Sequence, residues 1–87
     1  MHAVVVKVTI NDREAAERGL NEQLVPRVSQ VPGFVAGYWT IKDDTGLTMI
    51  IFESEDAANA MSEMARSVVP DAMSLDDVEV REVAAHA

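Results

Sequence analysis

Residues 46–52, GLTMIIF, constrain the fold more tightly than any other stretch of this chain. Successive side chains of an extended strand point to opposite faces. Leu47, Met49 and Ile51 then share one side, and Thr48, Ile50 and Phe52 the other. A strand with one wet face alternates apolar with polar residues. This one does not, so it needs cover on both faces. The chain has 87 residues and no cysteine, so no disulfide can hold a cover in place, and small domains of this kind gain stability by association.

The remaining elements show what the chain itself can supply. AVVVKVTI (3–10) reads as a strand, with Val4, Val6, Val8 and Ile10 on one face and Ala3, Val5, Lys7 and Thr9 on the other. Asn11 is a helix cap with Glu14 closing a capping box, and Asp12 is the alternative cap. Ala16, Leu20, Leu24, Val28 and Val31 form one helical stripe. The spacing predicts a helix over about 12–30, bent near 22–26 because Pro26 lacks an N–H and crowds the preceding turn. Pro32 and Gly33 end it.

FVAGYWTIK (34–42) reads as a second strand, with Phe34, Ala36, Tyr38 and Thr40 opposite Val35, Gly37, Trp39 and Ile41. The turn DDTG (43–46) joins it to the third strand, 47–53, as a hairpin. Ser54 caps a second helix, with Glu55 and Asp56 in its first turn and Ala57, Met61, Met64, Ala65 and Val68 as its inner stripe. Residues 69–77 read as an exit at Pro70 followed by a loop or short helical turn, and 78–85 as the last strand.

The order is β-α-β-β-α-β over a single domain, 1–87. It specifies an α+β, ferredoxin-like fold with a four-stranded antiparallel sheet. Right-handed crossovers place both helices on one side of the sheet. The other side stays bare, and several large apolar groups stay wet with it. At about 25 cal/mol per Å2 that forgoes several kcal/mol, a large part of the stability of a small domain. A second copy stacked sheet on sheet is the expected cover; a C-terminal tail folded over the face is the alternative.

Charge narrows the partners. Fifteen acidic against seven basic residues give a net charge of −8, a field that repels phosphate backbones and anionic membranes. Neither nucleic acid nor a membrane is an expected partner. The opening MHAVVVKVTIND has no basic flank and reads as a strand instead of a leader, so a cytoplasmic protein is expected.

VPGFVAGYW (31–39), leading into the second strand, FESEDAANAM (52–61), leading into the second helix, and the overall length together resemble the antibiotic-biosynthesis-monooxygenase-like domains of the dimeric α/β-barrel superfamily. The resemblance implies two facing sheets with helices outside and a small cleft between sheet and helices in each subunit. It also implies cofactor-independent oxidation, or simple binding, of an aromatic or quinol-type compound; the alternative is a non-catalytic homodimeric module whose pocket is filled by its own side chains. The haem-degrading branch fits poorly. Residues 57–75 contain no histidine for an axial ligand, Met61 stands about where that branch has tryptophan, and Asn11 lies past the end of the first strand. No cofactor is expected.

The candidate pocket residues are Tyr38, Trp39, Met49, Phe52, Met61 and Met64. Tyr38 and Trp39 are adjacent on a strand, so only one can face a given side. An aromatic side chain can stack on a flat ligand and offer it one hydrogen bond, and methionines make an adaptable lining. All six also serve as ordinary packing residues. His2 and His86 come near each other if the first and last strands pair, but two imidazoles do not complete a metal site. Lys7 and Arg81 are strand bases that can pair with Glu79 or Glu82.

Overall fold

The computed structural model describes residues 1–68 and 72–87. Its strands are β1 (His2–Ile10), β2 (Phe34–Lys42), β3 (Thr45–Phe52) and β4 (Met73–Glu82). Between β1 and β2 a helical arm runs through α1 (Arg13–Gly19), a π-helical segment (Leu20–Leu24) and α2 (Val25–Ser29). Helix α3 (Glu55–Val68) follows β3. The strand order is β2-β3-β1-β4, antiparallel throughout. This is the ferredoxin-like arrangement, with its sheet built from a hairpin and two helical crossovers.

Asp12, not Asn11, caps α1: its carboxylate accepts the Ala15 N–H at 3.2 Å. Asn11 reaches instead across to Ser74 Oγ at 3.1 Å. The bend expected near Pro26 is a widened π turn, in which the Val25 N–H bonds the Leu20 carbonyl five residues back. Pro26 brings no N–H, and its ring presses on the carbonyl four residues before it; a wider turn relieves that pressure. The turn also explains the four-residue stripe. At 3.6 residues per turn, each four-residue step drifts by about 40°. The π turn takes more residues and cancels part of that drift, so Ala16 and Val28 are both completely buried. Gly33, with φ of 87°, turns the chain into β2. Asp43, with φ of 56°, forms the tight hairpin turn to β3.

Two bulges correct the strand assignments. In β2 the register slips between Phe34 and Ala36. Phe34 therefore joins Gly37, Trp39 and Ile41 on the helix side, and Val35 leaves that set for the open side. In β4 the slip lies opposite Lys7 and Val8, where Asp77 and Leu75 are the partners and Asp76 is extra. That bulge lets the strand start five residues before the expected Val78, with Met73 opposite Ile10. β4 stops at Glu82 instead of reaching Ala85, although the Val83 N–H still bonds Met1 O at 3.0 Å. The helix exit expected at Pro70 lies outside the described residues.

The core lies between one sheet face and the helices. Val4, Val6, Val8, Ile10, Ile50 and Phe52 from the strands pack with Ala16, Val28, Ala58 and Met61 from the helices. Phe52 meets Phe34 edge to face, with ring centres 6.2 Å apart. Burying such a set is the main favourable term in folding.

Candidate functional site

A cleft opens between the helix-side face of the sheet and the two helical arms. Val6, Val8, Thr48 and Ile50 form its floor and Trp39 one wall. Leu20 and Leu24 come down from the π segment, Met61 and Ala65 from α3, and Met73 from the start of β4. The cavity is about 30 Å3, room for about one water molecule. Its polar groups are the Thr48 hydroxyl and the Trp39 indole, and no ionisable side chain among the described residues lines it.

Trp39 owes its position to Gly37. A methyl group at Gly37 would lie 2.7 Å from the Trp39 ring, so the missing side chain lets the indole lie across the strand. Trp39 Nε1 is buried and has no hydrogen-bond partner among the described residues. An unmet buried donor costs about 1–3 kcal/mol.

The six pocket candidates divide between two faces. Trp39 and Met61 line the cleft. Phe52 is completely buried in the core beside Phe34, and Met64 is half-buried on α3; neither borders the cavity. Tyr38 and Met49 are on the opposite face of the sheet, side by side in the register. Leu20 and Leu24 belong to the cleft, whereas the sequence marks them only as helix stripe. The one signal for their role is that the stripe lies directly before Pro26.

On the open face the register gives clean rows. Ala36, Ile51, Ala3 and Arg81 form one, Tyr38, Met49, Val5 and Glu79 the next, and Thr40, Leu47, Lys7 and Asp77 a third. Tyr38 is 64% exposed, while Val35, Leu47 and Met49 are each close to half exposed. Alternation leaves open which set of strand side chains is bare; Val35, Tyr38, Met49 and Ile51 lie on this face, and Trp39, Ile41, Ile50 and Phe52 lie on the helix side. Residues 83–87 border a groove of about 520 Å3 over this face; Ala3 and Val5 on the same face are buried, while Tyr38 and Met49 stay exposed.

Charged groups rim the patch. Arg81 Nε donates to Glu79 Oε2 at 2.6 Å. That hydrogen bond and the guanidinium charge hold the Glu79 carboxyl below its ordinary value. Lys7 makes no ion pair among the described residues. His2 lies on the helix side, with Nε2 3.3 Å from Glu55 Oε2 and Nδ1 buried without a partner among the described residues. His86 borders the open-face groove, so the two histidines are on different faces. Among the described residues no group of three potential metal ligands occurs, and no helix is long and apolar enough to cross a membrane.

Two solved structures follow the same chain path. MupZ from Pseudomonas fluorescens superposes with a TM-score of 0.69 at 16% identity, over 91% of this chain and 65% of its own. A monooxygenase from Streptomyces coelicolor, ActVA-Orf6, solved with the ligand nanaomycin D, superposes with a TM-score of 0.64 at 15% identity, over 99% of this chain and 90% of its own. The chain shares its ferredoxin-like fold with these two proteins. At these identities the likeness is one of backbone path, and the chain spans just under two thirds of MupZ. No family model matches the sequence, and no curated protein sequence matches it. Within this fold, the cleft is the space between sheet and helices, and the apolar rows are on the face turned away from it.

Proposed function

We propose that this chain is a homodimeric small-molecule protein whose cleft takes a flat, apolar ligand of aromatic or quinol type carrying a hydrogen-bond acceptor. The observation that carries the reading is the cleft itself. Its lining is mostly aliphatic, thioether and aromatic, which suits a ring, and its one buried, unpartnered donor among the described residues is Trp39 Nε1–H. Ligand sites of this kind are mostly apolar with a few placed polar groups. A monooxygenase among the fold neighbours, solved with a small-molecule ligand, supports oxidation as the accompanying chemistry.

The homodimer rests on the open face. A continuous apolar patch with charges of both signs at its rim has the make-up of an association surface. The rim is self-complementary: Lys7 stands free among the described residues, and Asp77 and Glu79 are on the same face.

The size of the cavity favours a second reading. A bicyclic ring does not enter 30 Å3 without side-chain movement. The second reading is therefore a non-catalytic homodimeric module whose cleft stays shut.

Trp39 is the chain's only tryptophan, so its emission reports on the cleft directly. Titration with menadione, a planar bicyclic quinone, is expected to quench that emission saturably. Aerobic incubation with the corresponding quinol is expected to consume oxygen faster than the protein-free control. Saturable quenching without extra oxygen uptake leaves a binding protein; no quenching up to the solubility limit selects the closed module.

A further inference from the structure

We propose that Pro26 is a positioning residue for the cleft: by holding residues 20–24 in a π turn, it makes that segment the wall that yields when a ligand enters. The proposal rests on the small-molecule reading above and adds the route of entry.

The walls of the cleft differ in how firmly they are held. On α3, Met61 and Ala65 are each 2% exposed. The floor comes from the two central strands, paired on both sides. The π segment contains no buried residue, yet it supplies Leu20 and Leu24 to the cavity. Moving it therefore displaces only partly buried side chains, Leu20 and Leu24, whereas moving α3 would displace fully buried ones.

Its hydrogen bonding is also the most easily rearranged. Pro26 has no N–H to return to the preceding turn. The Val25 N–H bonds Leu20 O, one residue further back than in an α-helix. The Asn21 side chain inserts into the ladder by donating to Glu17 O at 2.9 Å. At the upper boundary, the Leu20 N–H is shared between the carbonyls of Ala16 and Glu17. A segment with shared and shifted bonds has an α-helical alternative nearby, and passage toward it rotates Leu20 and Leu24 relative to the sheet. π turns of this kind are common at functional sites. The cavity is too small for a ring at rest, and these two leucines are the lining groups carried by a segment with no fully buried residue.

The test is Pro26→Ala in the full chain. Alanine restores an N–H and removes the ring, and helix propensity favours it. Stopped-flow quenching of Trp39 by menadione gives the association rate, and amide exchange reads the helix. In the variant, the expected result is a protected amide at position 26, a fold at least as resistant to heat as the parent, and association slowed at least tenfold. Free exchange of that new amide, with the π turn retained, overturns Pro26 as its cause. A protected amide with an unchanged association rate overturns the gate. If the parent protein itself shows no quenching, the small-molecule reading fails and the gate fails with it; the exchange data then still show separately whether Pro26 sets the turn.

Discussion

One sheet offers two faces, and they are closed in different ways. On the helix side the chain supplies its own cover, and Val4, Ile50 and Phe52 are sealed at 0–2% exposure. On the open side Tyr38, Leu47 and Met49 stay exposed, although Ala3 and Val5 on that face are buried and residues 83–87 border the same groove. The difference shows how far a chain of this length can go. Two helical arms are enough for one face of a four-stranded sheet, and the proposed homodimer is the cover for the second. The cleft belongs to the closed face and the apolar rows to the other, so the proposed binding and the proposed association are expected to be separable by mutation.

The largest effect is expected for Phe52→Asp. A carboxylate in a fully buried site without a partner costs at least about 3–5 kcal/mol, and the chain is expected to unfold by circular dichroism. A folded Phe52→Asp would place Phe52 outside the core. Next comes Tyr38→Asp on the open face, expected to keep the circular dichroism of the parent while weakening self-association at least tenfold in sedimentation velocity. Loss of the fold in this variant would mean that the two faces are not independent.

Gly37→Ala sharpens the helix-side description. Its methyl group would meet the Trp39 ring at 2.7 Å, and overpacking of that kind costs about 1–3 kcal/mol. A shifted Trp39 emission maximum and a lower melting temperature are expected; unchanged emission would show that the ring does not rest on Gly37.

The smallest effect concerns Glu79. Its folded pKa is lowered by the hydrogen bond and charge of Arg81. The interaction therefore favours the fold above the ordinary carboxylate value near 4.5 and is lost as pH falls through the lower folded value. Arg81→Gln is expected to return the Glu79 titration, followed by NMR, toward that ordinary value. An unmoved titration would show that Arg81 does not hold the carboxylate.

Most of the architecture was legible because β1 and β3 keep a strict two-residue period. β2 and β4 do not. From Phe34 to Gly37, and from Leu75 to Val78, the helix-side residues are three apart, because one bulged residue sits in each gap. Strict alternation consequently puts Val35 on the wrong face and starts β4 late. The π turn was legible only as trouble at Pro26. That Tyr38 and Trp39 face opposite ways followed from strand geometry, but which of them meets the helices depended on the β2 bulge. The small volume of the cleft was not legible at all, because it depends on how Trp39, Met61 and two leucines fill one space.

The most direct test of a shared open face is the mass of the folded wild-type chain in solution, by sedimentation equilibrium at micromolar concentration. The expected value is twice the chain mass of 9.5 kDa, falling to one chain mass in Tyr38→Asp. A well-folded wild-type species at 9.5 kDa would mean that the open face tolerates water, and the division of labour between the two faces would be contradicted.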